Sequence, residues 1–125
     1  ELMRQFAARA QTGAVINLLD RRVRANDAAC LPYSISKKGL EELTKLAALD
    51  LAPGIRVNAV APGPILPPPG SDGTGFAEMA GKVPLELFPS PADIAEAALF
   101  LLKADYCTGQ VIYVDGGQHL LGNGV

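Results

Sequence analysis

Charge is sparse and nearly balanced in this chain. Its 125 residues carry 11 Lys and Arg against 13 Asp and Glu, a net charge of −2, and the cations form no long run. No nucleic-acid partner and no membrane partner is expected, because neither has an electrostatic footprint here. Long apolar runs are also missing. The longest beside a helical pattern, Ala97-Ala98-Leu99-Phe100-Leu101-Leu102, falls far short of the ~20 residues that cross a bilayer. The opening residues lack a signal-peptide pattern. Cys30 and Cys107 are the two cysteines, spaced neither as a metal site nor as a redox motif. They read as free thiols in a reducing cytosol, and a cytoplasmic location is expected. The single histidine, His119, is expected at the surface. Internal repeats and an interdomain linker are absent.

What the chain does have is alternation. Residues 14–19 are short and mostly apolar, as in a strand covered on both faces. Asp20 follows at the carboxyl end, and residues 21–29 read as loop. A helix is predicted over 34–51, with Leu40, Leu43 and Leu46 or Ala47 as its apolar stripe and Pro53-Gly54 as its stop. Residues 55–60 form a second strand, closed by Ala61-Pro62-Gly63. From Pro62 to Pro91 the chain holds eight of its ten prolines, which excludes regular helix or central strand there. A short helix over 76–81 interrupts that stretch. Ser90-Pro91-Ala92-Asp93 opens a further helix: a cap, a first-position proline and an acidic capping-box partner. Its apolar face is Ile94, Ala97, Ala98, Leu101 and Leu102. Residues 111–114 are a third buried strand. Strands alternating with helices imply a parallel sheet with helices on its faces. Leu2, Phe6 and Ala10 share one helical face with no cap before it, so the chain is expected to enter in mid-helix. Strands from an earlier part are expected to complete the sheet.

In such sheets ligands bind beyond the carboxyl ends of the strands. Asp20, Tyr33 and Pro62-Gly63 gather there. Lys37 lies one helical turn after Tyr33, a spacing that brings Cβ atoms to ~5–6 Å. A free tyrosine titrates near ~10, too high for efficient proton transfer at neutral pH. A nearby cation typically lowers such a value by about 1–3. The Tyr-x-x-x-Lys spacing alone also describes ordinary helix surface.

Tyr33-x-x-x-Lys37, then "GLEELTKLAALDLAPGIRVNAVAPG" and later "YCTGQVIYVDGG", resembles the short-chain dehydrogenase/reductase family. The likeness runs from residue 2 to about 120, with the elements in family order and spacing. It implies the C-terminal portion of a Rossmann-type, doubly wound parallel α/β sheet: three strands with flanking helices. It implies hydride transfer between a nicotinamide cofactor, NADPH or else NADH, and a carbonyl or imine. Tyr33 would donate the proton in reduction. Lys37 would hold the nicotinamide ribose hydroxyls and depress the tyrosine pKa. Pro62, Gly63 and Ile65 would pass beside the nicotinamide. A homotetramer is the implied assembly, and the N-terminal cofactor half of the same domain is the implied partner. Residues 64–90 would be the substrate lid, with Gly70, Gly73 and Gly75 as hinges.

Three departures matter. Most members carry a serine about thirteen residues before the tyrosine; here Asp20 stands at that offset. Members with Asp there are similar to pteridine reductases, and "GKVPLELFPSPADIAEAALFLL" resembles that branch. The expected substrate is then a pterin or dihydropterin, with another ketone or imine as the alternative. A non-catalytic truncated subunit is a third possibility. A carboxyl group suits ring nitrogens that need protons as hydride arrives, though Asp20 also suits a plain loop cap. Asp20, Tyr33 and Lys37 would titrate as a coupled set. The family's Gly-rich phosphate turn and catalytic asparagine are not in these residues. Pro67 replaces the threonine that usually reaches the cofactor pyrophosphate. Asn58, in a buried strand, reads as a structural amide.

Overall fold

The computed structural model describes residues 5, 8–9, 12–25, 30–67 and 69–122. The helical face through Leu2, Phe6 and Ala10 lies outside them. Strands β1 (Gly13–Leu18), β2 (Ile55–Pro62) and β3 (Val111–Val114) form one parallel sheet in the order β1-β2-β3. Helix α1 (Leu31–Asp50) connects β1 to β2. Helices α2 (Phe76–Ala80) and α3 (Pro91–Lys103) lie between β2 and β3.

Side-chain alternation along β2 sorts the core. Ile55, Val57, Ala59 and Ala61 face α1, whereas Val60 packs with Ile94 and Leu101 of α3. The sheet is therefore covered on both faces, and β2 is buried along most of its length. That explains its near-continuous apolar sequence. The register pairs Leu18 with Val60 and Pro62 with Val114. Strands β2 and β3 thus stop side by side, at the ~4.8 Å spacing of neighbouring strands, and β1 stops two residues earlier, opposite Val60.

Two boundaries differ from the sequence reading by more than one residue. Helix α1 starts at Leu31 rather than at residue 34, because Pro32 occupies the first turn, where its missing N–H costs nothing. Tyr33 is therefore inside the helix. Strand β2 runs on to Pro62, which pairs opposite Val114 at the strand's end. The loop after β1 contains a short 3-10 turn, Arg21–Arg24, capped by Asp20.

The leucine stripe of α1 is not its buried face. Ser34, Glu41, Thr44, Ala47 and Ala48 are buried, while Leu43 and Leu46 are exposed and Leu40 is half-buried against the sheet. Small side chains let the helix approach the sheet closely and turn the leucines outward. In α3, Ile94 and Leu101 are buried and Ala97 and Ala98 pack beside them; Leu102 is exposed. The capping box forms as expected. Ser90 Oγ accepts from the Asp93 N–H, and the Asp93 carboxylate accepts from the Ser90 N–H at 2.7 Å.

Candidate active site

Asp20 leaves the end of β1 in an extended conformation and uses both carboxylate oxygens. Oδ1 accepts the Arg22 backbone N–H at 2.7 Å, closing the cap of the 3-10 turn. Oδ2 accepts the Tyr33 hydroxyl at 2.8 Å. The loop-cap role and the contact with Tyr33 thus coexist in one side chain. Lys37 reaches the same strand end, where Nζ donates to the Leu18 carbonyl at 2.8 Å. It sits 5.7 Å from the Tyr33 ring centroid, near the outer limit of a cation–π contact. An ammonium has three donors, and the Leu18 carbonyl takes one.

Tyr33 is partly exposed, and its phenol is pushed up to about 12. Partial burial is the largest cause, and the hydrogen bond to Asp20 with its negative charge adds to it. The direction is opposite to that expected from Lys37. The cation that opposes the rise is Arg22, two residues past Asp20. Here the phenol is a proton donor at neutral pH, not a phenolate. The sequence reading missed Arg22 because no periodicity marks the loop that carries it.

Gly63 follows β2, and its N–H donates to the Val114 carbonyl at 3.0 Å. A Cβ there would lie 2.7 Å from both Cα and Cβ of Asp115, so only glycine fits this approach of the two strand ends. Ile65 packs its side chain into the α3 face of the core. The structure brings Asp20, Tyr33 and Lys37 together; Pro62 and Gly63 stand at the end of the adjacent strand.

Other residues resolve differently. Asn58 is fully buried, with its amide donating to the Cys107 carbonyl at 2.8 Å and accepting the Gln110 N–H at 2.9 Å. Both ends are used structurally. His119 is not a plain surface residue. Its ring stacks on Tyr113 with centroids 4.2 Å apart, and Nδ1 lies 2.9 Å from Asp115 Oδ2. Asp115 is 1% exposed and also accepts the Gly117 and His119 N–H groups. The Asp-Gly-Gly after β3 was the available signal for this turn. Both glycines have positive φ, 62° and 85°. The turn also holds part of the 64–90 segment: Gln118 donates to the Ala80 carbonyl at 2.6 Å, and the Leu85 N–H donates to the Gly116 carbonyl at 3.1 Å. The glycines expected as hinges, Gly70, Gly73 and Gly75, all have positive φ.

Among the described residues no group of three His, Cys, Asp or Glu side chains is placed to hold a metal ion. No helix among them is long and apolar enough to cross a membrane.

Comparison with known proteins gives this site its context. Residues 2–119 match the family profile described as Enoyl-(Acyl carrier protein) reductase. Carbonyl reductase family member 4 of Danio rerio is 46% identical over 114 residues, covering 87% of this chain and 46% of that protein. The short-chain dehydrogenase/reductase homolog YusR of Bacillus subtilis is 32% identical over 117 residues, covering 92% of this chain and 90% of YusR. Among solved structures, FolM alternative dihydrofolate reductase 1 from Brucella canis, complexed with NADP, superposes with a TM-score of 0.80 at 35% identity. That match covers 95% of this chain and 48% of FolM. The chain thus spans about half the length of the carbonyl reductase and of FolM, and nearly all of YusR. On its sequence match and on its three-stranded parallel sheet, the chain belongs to the short-chain dehydrogenase/reductase family.

Proposed function

We propose that this chain is the catalytic C-terminal half of an NADPH-dependent reductase acting on a pterin or dihydropterin. The observation that carries the reading is the 2.8 Å bond from the Tyr33 hydroxyl to Asp20. A serine at position 20 would offer a hydroxyl to a carbonyl. A carboxyl group can exchange protons with a ring nitrogen and can hand one on through the phenol. The likeness to FolM, solved with NADP, supports the same branch and the same cofactor; NADH is the less favoured partner.

The residues present fit a nicotinamide cofactor. Lys37 has donors to spare for ribose hydroxyls, and the close approach at Gly63 leaves backbone rather than side chain at the end of β2. When bound, NADPH supplies the hydride. Tyr33 is protonated at neutral pH and donates from its hydroxyl as hydride arrives. Asp20 Oδ2, already in contact with that hydroxyl, takes a proton from water and passes it to the phenolate, which restores the phenol. Lys37 stabilises the phenolate that forms and orients the cofactor sugar. The segment 64–90, tied at Ala80 to the turn after β3, closes over the substrate. The outer edge of β1 takes a strand from the N-terminal half, which also binds the dinucleotide phosphates. The assembly is a cytoplasmic homotetramer.

A second reading, a reductase of another ketone or imine, is favoured by the 46% identity to a carbonyl reductase. A non-catalytic subunit keeps a place beside it because YusR is similarly short.

The test uses the full-length reductase. Asp20→Ser is expected to lose dihydropterin reduction by at least about 10²-fold, the lower end of a general acid's contribution. Asp20→Asn is expected to fare no better, because its amide keeps the shape but cannot relay a proton. kcat/KM is measured across pH with a dihydropterin and a simple ketone side by side. Retained dihydropterin activity in Asp20→Ser, or wild-type activity on the ketone alone, transfers the assignment to the second reading.

A further inference from the structure

Helix α1 is tied to β1 and the residues just after it by three polar contacts that run in order. Tyr33 reaches Asp20, Lys37 reaches the Leu18 carbonyl, and Thr44 meets Asn17. Later helix residues meet earlier strand residues, as the antiparallel packing of helix on strand requires. The first two contacts belong to the site and are exposed. The third is different. Thr44 is fully buried, and Asn17 Nδ2 donates to its Oγ1 at 2.9 Å. The Thr44 hydroxyl spends its own proton on the Leu40 carbonyl, 2.7 Å away. A hydroxyl has one proton, so towards Asn17 it can only accept. The direction of this bond is fixed by the helix itself.

Neither group titrates, and the bonds described for them run to each other and to the Leu40 carbonyl. Yet Thr44 lies seven residues after Lys37, about two turns along the same inward face. A helix that slid or rotated against β1 would have to break this partly buried bond. The neighbouring alternative is weaker. Glu41 reaches Arg24 at 3.6 Å and Lys45 at 3.2 Å, but both cations are about half exposed, and such pairs hold geometry poorly.

We infer that Asn17 and Thr44 are positioning residues: their partly buried bond helps to set the register of helix α1 on strand β1 and so the contact of Tyr33 with Asp20. The inference rests on Tyr33 and Asp20 acting as proposed above, but its test has a readout that needs no turnover. Loss of the bond lets the helix shift and loosens both the burial and the Asp20 contact that keep the phenol protonated. Misplacement by about 1 Å is enough to cost up to ~10²-fold in rate.

The experiment uses the full-length reductase with Thr44→Val, Asn17→Ala and the conservative Thr44→Ser. Tyr33 is titrated by ultraviolet difference spectroscopy against Tyr33→Phe in the same background. Turnover is followed with whichever of the dihydropterin and ketone the wild type reduces. Thr44→Val and Asn17→Ala are expected to bring the Tyr33 titration down from about 12 towards the ordinary tyrosine value of ~10. They are also expected to lower kcat by roughly 10-fold or more with little change in KM, and Thr44→Ser should restore both. Asn17→Ala leaves the Thr44–Leu40 bond in place, so it stays folded even where Thr44→Val does not. A folded Asn17→Ala protein with an unmoved Tyr33 titration and unchanged kcat overturns the inference, whatever the substrate proves to be. If the wild type reduces neither compound, the reductase reading falls while the titration still decides the positioning role.

Discussion

Strand β2 has two flanks, and they are built differently. On the β3 side the polar groups around Arg56 and Asn58 close on nearby backbone, while Gln118 Oε1 beyond β3 is buried without a partner. Asn58 is held at both ends of its amide by Cys107 and Gln110, and Arg56 donates to the Leu101 and Leu102 carbonyls, each at 2.8 Å, at the carboxyl end of α3. Ser90 and Asp93 cap that helix's other end. On the β1 side a phenol, an ammonium and a carboxylate meet at a strand end with hydrogen-bonding capacity left over. Among the described residues, β1 pairs with β2 alone. The difference teaches where to look for chemistry. Polar groups that satisfy each other build a fold, whereas polar groups gathered but unsaturated are arranged for something that arrives later. Substitutions on the β1 flank should therefore cost turnover, and those on the β3 flank should cost stability.

The largest effect is expected from Tyr33→Phe in the full-length protein. Removing the donor hydroxyl should lower turnover by about 10²- to 10⁴-fold, the range of a general acid. NADPH binding should stay close to normal, because Lys37 keeps its place on the Leu18 carbonyl. The melting temperature should hardly move, since the lost bond is exposed. Near-normal turnover at saturating substrate would remove Tyr33 from its role and erase the contrast between the flanks.

Gly63→Ala probes the seam between the flanks. The new Cβ meets the Asp115 backbone and Cβ at 2.7 Å, where nothing flexible can yield. Overpacking of this kind costs typically about 1–3 kcal/mol. Thermal or denaturant unfolding should register that loss. If Gly63→Ala melts like the wild type, the strand ends are less closely packed than described.

A smaller effect is expected at high pH. The Tyr33 phenol is raised to about 12, by burial first and by Asp20 second. A raised pKa means the folded state favours the protonated form. The stability this contributes is complete below the unfolded value of ~10 and disappears as pH rises through about 12. The stability difference between wild type and Tyr33→Phe should therefore change only in that alkaline window. Asp20→Asn should shift the window downwards, because the phenol then loses its anionic neighbour. A window that stays in place would mean that burial alone sets the phenol's titration.

Much of this contrast was legible in the sequence, and the reason is period and punctuation. The strand of residues 111–114 and the Ser90 cap follow from apolar runs and capping chemistry that act locally. The grouping of Asp20, Tyr33 and Lys37 followed from strand ends and one helical turn. What was not legible depended on distance across the fold. The outward turn of Leu43 and Leu46 reflects how closely α1 can approach the sheet through Thr44, Ala47 and Ala48. The rise of the Tyr33 phenol depends on its burial and on an Asp20 contact spanning 13 residues. The Asp115–His119 pair forms only because the turn after β3 folds back towards Tyr113.

Ser90→Ala gives the smallest effect and the sharpest test of the β3 flank. The Ser90 hydroxyl accepts the Asp93 N–H and donates to the Asp93 carboxylate at 2.7 Å. Replacing a capping serine by alanine costs typically ~1 kcal/mol. Hydrogen bonds from the Ser90 side chain, and next from its backbone N–H, hold the Asp93 carboxyl below the usual carboxylate range. A lowered pKa means the stabilising form is the ionised one. Its contribution is present above the unfolded value of about 4 and fades as pH falls through the folded value. Wild type and Ser90→Ala should therefore differ most at neutral pH and converge in acid, as seen by thermal unfolding across pH. Turnover and its pH profile should be unchanged, because α3 packs on the sheet face opposite α1. A Ser90→Ala protein with an altered pH–rate profile would show that the two flanks are coupled, and that β2 transmits between them rather than separating them.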